Sequence, residues 1–318
     1  GLLPSCTRSH ETGLERLSMV TVDCHLHLGL IGSQVPVWWM EELYGMYGVE
    51  DLVSVDGQVI VDILDANGID AGLVQGNDIR RTSFHPEFPL ERNMYTPNDY
   101  IAEQCELHEG RLYGVTGIDP FLDLPGSVIE LERCVTKLGF RSMKLLPSYL
   151  HFDPGDPELD PLYRKALELD VPVHFFTGMT PTRTAMLKYG DPVLLDSVGR
   201  RHRDLKVIVF INYPWIDQCI ALVAKHPNFY ADMCYFAGGD SAQLYEVLSK
   251  FRSYGALDRV IYGTDNADKA RAFDGVGKVP DLYYGVNKVA EERGGEPFSQ
   301  DELDAILGGT AAKLYKIP

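Results

Sequence analysis

The chain has 318 residues, and 29 lysines and arginines against 46 aspartates and glutamates leave a formal charge of −17. Neutralising phosphates takes clustered basic residues, so this surplus of acid argues against nucleic acid or an anionic membrane as a partner and leaves a small molecule as the expected one. With 45% hydrophobic and 24% charged residues the composition is that of a globular protein, neither disordered nor fibrous.

Residues 1–18 lack the apolar core of a secretory signal and read as an extension outside the fold, which leaves residues 19–318 as one domain. From residue 20 onward, short β-branched runs alternate with longer segments of helical spacing. The runs cover 20–25, 71–75, 112–117, 142–146, 171–176, 207–211, 229–233 and 260–262. Helices are expected at 57–67, where Asn67-Gly68 is the stop signal, and at 98–108, 127–138, 161–169 and 242–251, with a closing helix at 301–315. Several runs are apolar throughout, as parallel strands covered on both faces must be. Eight such units without a linker between them predict an α/β fold, a (β/α)8 TIM barrel. No strand is followed by a glycine-rich phosphate loop, which counts against a nucleotide ligand. The longest purely apolar strand-like stretch, 207–211, is far short of the roughly 20 residues that span a bilayer. The six cysteines, at 6, 24, 105, 134, 219 and 234, contain no C-x-x-C pair, so a reducing cytoplasm is expected rather than a disulfide framework.

Two inserted loops follow strands one and two, at the face where barrel enzymes keep their sites. Segment 30–56 carries Trp38, Trp39, Met40, Tyr44, Met46 and Tyr47, and segment 75–97 carries Arg80, Arg81, His85 and Arg92. The aromatics fit either a packed subdomain or a lid over the substrate.

The chemistry concentrates at strand ends. In an extended chain residues two apart face the same way, so His25 and His27 of Asp23-Cys24-His25-Leu26-His27 can present two imidazoles to one metal. His174 ends the run Val171-Pro172-Val173-His174, and Asp265 follows Tyr262-Gly263-Thr264. Three imidazoles and a carboxylate on one barrel face would hold one divalent ion, with Zn2+ expected and Mn2+ the alternative, and leave a position for water or substrate.

The H-x-H after strand one, the histidine in PVHFFTG, the aspartate in YGTDN and the stretch Gly-Phe-Arg-Ser-Met-Lys-Leu-Leu-Pro at 139–147 together resemble the amidohydrolase superfamily. The similarity is to its amidohydrolase-2 branch, which includes aminocarboxymuconate-semialdehyde decarboxylase-like enzymes. The resemblance implies a distorted TIM barrel, with His25, His27, His174 and Asp265 as metal ligands and Asp265 also handling a proton. It makes a homo-oligomer plausible as well. One position departs from the family. A second histidine usually ends strand six, whereas this chain reads Val209-Phe210-Ile211-Asn212-Tyr213-Pro214. Asn212 can orient a carbonyl or a water but cannot act as a base, so proton abstraction falls to Asp265 or another group, and a second metal lacks a ligand. Lys144 could be carboxylated to bridge two metals, but a lysine paired with a carboxylate or holding a substrate carboxylate is the preferred reading.

Arg80 and Arg81 are the candidates for gripping a substrate carboxylate. Tyr213, with Tyr149, His151, Tyr235 and Phe236, could line the pocket, while Asp119 and Asp232 stand near strand ends, Asp119 in an Asp-Pro pair that reads as a turn and Asp232 with no assigned role. The expected activity is that of a metal-dependent hydrolase acting on a small carboxylated or cyclic substrate through a metal-activated water. The alternatives are a metal-dependent carboxy-lyase, and a metal-free lactonase-like or non-catalytic barrel.

Overall fold

The computed structural model describes residues 20–45, 53–80, 93–180, 182–234, 240–265 and 279–318. Eight parallel strands run in sequence order: β1 Val22–His27, β2 Ala71–Gln75, β3 Leu112–Gly117, β4 Ser142–Leu145, β5 Val173–Phe175, β6 Val207–Phe210, β7 Phe229–Asp232 and β8 Val260–Ile261. The ring closes where Cys24 N donates to Tyr262 O at 2.9 Å. The protein is thus a (β/α)8 TIM barrel, as the alternating pattern predicted. The described insertion residues after β1 include the helix Val37–Gly45, whose Trp39 and Met40 are buried in the main core.

Local chemistry sets the helix ends. Asp56 accepts from Val59 N to cap Gly57–Asn67, and Gly68 ends that helix at φ 68°, a left-handed conformation that costs glycine nothing. The helix predicted from 127 begins instead at Leu124, because Asp123 accepts from Gly126 N and Pro125 occupies the first turn, where a missing N–H has no partner to lose. The closing helix is interrupted. Gln300–Asp304 passes through a π-helical turn, Ala305–Gly309, into Thr310–Tyr315.

That C-terminal segment forms the floor of the barrel. Ala311, Leu314, Tyr315 and Ile317 pack against the inward side chains Val22, Cys24, Ala71, Leu73, Val115, Ile208 and Ile261, while a larger core lies between the strands and the helices around them. Gly308 permits the docking, since a Cβ there would stand 1.8 Å from Val20 O.

β1 has one irregularity that matters for the site. Asp23 is opposite Gly72 and Leu26 opposite Val74, so β1 carries one more residue than β2 between those pairs, a β-bulge. The bulge changes the faces. Val22 and Cys24 point to the floor and Leu26 to the outer core, and His25 and His27 both turn inward above the floor.

Candidate metal centre

At the C-terminal end of the strands, His25 Nε2 and His27 Nε2 lie 3.2 Å apart. Asp265 Oδ1 is 3.3 Å from His27 Nε2 and 3.7 Å from His25 Nε2. Two donors bound to one ion by bonds of about 2.1 Å lie about 3 to 3.5 Å apart, so the 3.2 and 3.3 Å separations fit a shared divalent ion and the 3.7 Å one needs a slightly wider angle at the ion. Burial leads the effects that bring the His27 imidazole down to about 3, with the neighbouring Lys144 charge next, so the ring is neutral at ordinary pH, as a ligand must be. An orphaned atom points the same way. Asn77 Oδ1 is buried without a partner while Asn77 Nδ2 faces His27 Nδ1 at 3.3 Å, and turning the amide over would let Oδ1 accept from Nδ1–H and leave Nε2 its lone pair. His25, His27 and Asp265 therefore fit one divalent ion with open positions.

Asp265 is held in place by the first strand. Its N–H donates to His25 O at 2.9 Å, and its backbone adopts φ 50°, an uncommon conformation for a residue with a Cβ. The preceding residue is tied down as well. Buried Asp23 accepts from Thr264 Oγ1 at 2.6 Å, Thr264 N at 3.1 Å and His25 N at 3.0 Å, which staples the end of β8 to β1. Burial raises the Asp23 carboxyl to about 7, against these hydrogen bonds, which pull it down.

Behind the histidine pair, His25 Nδ1 is hydrogen-bonded to Asp232 Oδ2, and Cys234 Sγ is 3.2 Å from the same nitrogen. His25, Asp232 and Cys234 form a second group of potential ligands among the described residues. One carboxylate oxygen is bonded to His25 Nδ1 and the other accepts from Cys234 N, so this group reads as a support for His25. Burial would push the Asp232 carboxyl up, but the adjacent His25 holds it below its ordinary range.

His174 is buried near the cluster, its ring centroid 6.1 Å from that of His25, and burial brings it down to about 3. Both its nitrogens are engaged, Nε2 with Tyr315 OH at 2.5 Å and Nδ1 with Gln75 Nε2 at 3.1 Å. Lys144 Nζ stands 3.3 Å from His25 Nε2 and 3.2 Å from His27 Nε2, and so puts its positive charge beside the ligand atoms. Asn212 is buried, and its Nδ2 donates to Met179 O at 3.0 Å. Tyr213 is exposed, before a cis peptide bond to Pro214. Arg80 is engaged within its own loop. It makes two bonds to Asp78, at 2.8 and 2.7 Å, and lies 3.8 Å over the Tyr95 ring. Tyr149 OH meets Thr180 Oγ1 at 2.5 Å, and His151 Nε2 meets Thr184 O at 2.7 Å. Arg81, His85, Arg92, Met46, Tyr47, Tyr235, Phe236 and residues 1–18 lie outside the described residues.

Sequence reasoning gave Asp232 no task and did not single out Asp23, Asn77, Gln75 or Tyr315 for the site. A signal existed for Asp232, which ends β7 with an inward side chain. None existed for Tyr315, which reaches His174 across 141 residues of sequence.

With the geometry in hand, comparisons place the chain. The family model described as Amidohydrolase, of the amidohydrolase-2 type, matches residues 22–317. A 2-keto-4-carboxy-3-hexenedioate hydratase from Sphingobium sp. is 26% identical over 199 residues, 54% of this chain and 56% of that protein. The chain spans about half the length of the curated relatives it matches. Among solved structures, a probable 2-pyrone-4,6-dicarboxylic acid hydrolase from Acinetobacter baumannii, with citric acid bound, is 14% identical at a TM-score of 0.62, covering 94% of this chain and 100% of that one. A dihydroxybenzoic acid decarboxylase from Polaromonas sp. JS666, with bound manganese and the inhibitor 2-nitroresorcinol, is 16% identical at a TM-score of 0.62, covering 94% and 97%. At those identities the structural likeness speaks for the fold alone. The matched span runs from the first strand, with its histidine pair, to the end of the barrel floor, and the chain belongs to the amidohydrolase family, in its amidohydrolase-2 branch.

Proposed function

We propose that this protein is a metal-dependent enzyme that holds a small carboxylated substrate at one divalent ion and releases its carboxyl group as CO2 without oxidation. The observation that carries this reading is the convergence of His25, His27 and Asp265 on one point, with a lysine as the neighbouring charge and an asparagine at the end of β6. A bound divalent ion, Zn2+ or Mn2+, would supply Lewis-acid polarisation of a substrate oxygen. Lys144 adds a second positive charge for a carboxylate. Asn212 takes up no proton at neutral pH, so Asp265 is the proton carrier these residues offer. Decarboxylation needs one such carrier. The carbon–carboxylate bond breaks and leaves its electron pair on carbon, CO2 departs, and the carbon takes up a proton that the Asp265 carboxylate first accepts from water, whose hydroxide balances the charge. The carboxylated substrates and products named for the family's hydratase, hydrolase and decarboxylase relatives support a carboxylated substrate here.

Hydrolysis is the second reading, favoured by the position of Asp265 3.3 Å from His27 Nε2, where its carboxylate could take a proton from a water. The protein, stripped by chelation and reloaded with Zn2+ or Mn2+, should be offered carboxylated aromatic and muconate-like acids and a carboxylated lactone. CO2 in the headspace supports the first reading, and ring opening without CO2 selects the second. Full turnover by protein verified as metal-free would refute both.

A further inference from the structure

We infer that Asp232 is a positioning residue that fixes His25 as its Nδ1–H tautomer and thereby aims the Nε2 lone pair at the ion. The inference rests on the metal-centre reading above and adds to it a residue that lies outside the ligand set. Asp232 closes β7 and is 1% exposed. Its Oδ1 accepts from Cys234 N at 3.0 Å and its Oδ2 is bonded to His25 Nδ1, so both oxygens have a donor. An ionised carboxylate has no proton to give, hence the ring nitrogen donates. With Nδ1–H given to Asp232, Nε2 offers its lone pair, on the side where the donor Lys144 Nζ stands at 3.3 Å and His27 Nε2 and Asp265 Oδ1 stand at 3.2 and 3.7 Å. The anion behind the ring also makes Nε2 a better donor to a cation.

A second observation, just past the end of β8, supports the same geometry. Gly263 faces this pair. A Cβ at that position would lie 2.8 Å from Asp232 Oδ1 and 3.0 Å from His25 Cβ, so a side chain there would displace the carboxylate, the ring or both. The missing Cβ leaves the space that the hydrogen-bonded pair fills.

The test is Asp232→Asn, which keeps the shape of the side chain. One carbonyl can accept from Cys234 N–H or from His25 Nδ1–H but not from both, and with the carbonyl turned to Cys234 the NH2 group faces the ring and favours the wrong tautomer. Long-range 1H–15N correlation on protein labelled at its nine histidines reads which nitrogen carries the proton in the metal-free chain. Titration with Co2+, followed by its visible absorption bands, reads affinity and coordination. Protonation at Nδ1 of His25 is expected in the parent and at Nε2 in the variant, with Co2+ bound roughly 10- to 100-fold more weakly by the variant. Gly263→Ala should shift both readouts in the same direction without removing a donor or an acceptor, and it serves as the test if Asp232→Asn does not fold. An unchanged tautomer with Co2+ affinity within about twofold of the parent would overturn the role of Asp232. If the parent binds no divalent ion, the metal-centre reading fails, and the tautomer of the metal-free protein still decides whether Asp232 fixes the ring.

Discussion

Thr264→Val tests the staple that carries Asp265. The substitution keeps the shape of a buried side chain and deletes one bond, Thr264 Oγ1 to Asp23 Oδ2 at 2.6 Å, leaving the two backbone donors to Asp23 in place. A hydrogen bond to an ionised group contributes about 1.5–3 kcal/mol and one between neutral groups about 0.5–1.5. The loss therefore depends on the charge of Asp23. Burial raises that carboxyl from 3.8 to about 7. A raised carboxyl adds stability that is fully present below its unfolded value and lost as pH climbs through the folded one. Removing Thr264 Oγ1, which pulls it down, raises the folded value further, so the variant falls behind the parent mainly above pH 7. The expected loss is about 2 kcal/mol near pH 8.5 and about 1 near pH 5. That difference of about 1 kcal/mol corresponds to an upward shift of about 0.7 in the Asp23 pKa. Urea unfolding of parent and variant at the two pH values measures it, with equal m-values as the check that the unfolded state is unchanged. A loss below about 0.5 kcal/mol at pH 8.5, or one that does not grow with pH, would refute the reasoning.

Three further outcomes follow from the same geometry. His25→Ala or His27→Ala should abolish stoichiometric divalent metal by elemental analysis. His174→Ala should retain it with affinity loosened less than about tenfold, because both ring nitrogens are engaged by Tyr315 and Gln75; loss of metal in His174→Ala would make that histidine a ligand. Gly308→Ala forces a Cβ against Val20 O and should cost about 3 kcal/mol or more in equilibrium unfolding, whereas a cost under about 1 would show that the floor shifts easily. Acid should weaken the helix Leu124–Lys137 through Glu130, which Arg133 hydrogen bonds lead in holding at about 2. The stability gap between parent and Glu130→Gln, present above pH 4.5, should close as pH falls toward 2; a gap independent of pH would count against the ion pair.

The alternation of strands and helices, the barrel and the inward pairing of His25 with His27 were legible in the order of residues, because strand and helix periods are local properties of the chain. The same order marked Asp265 as a strand-end acid and Asn212 as the departure from the family. The bulge that turns Cys24 to the floor and His25 upward appears only once β1 pairs with β2. Arg80 looked available for substrate, yet the folded loop binds it to Asp78 and lays it on Tyr95. The bond from Asp232 to His25 joins residues 207 positions apart, and that from Tyr315 to His174 joins residues 141 apart. Which nitrogen of each histidine is left for a metal depends on what the other nitrogen meets across the closed barrel, and no local pattern encodes that partner.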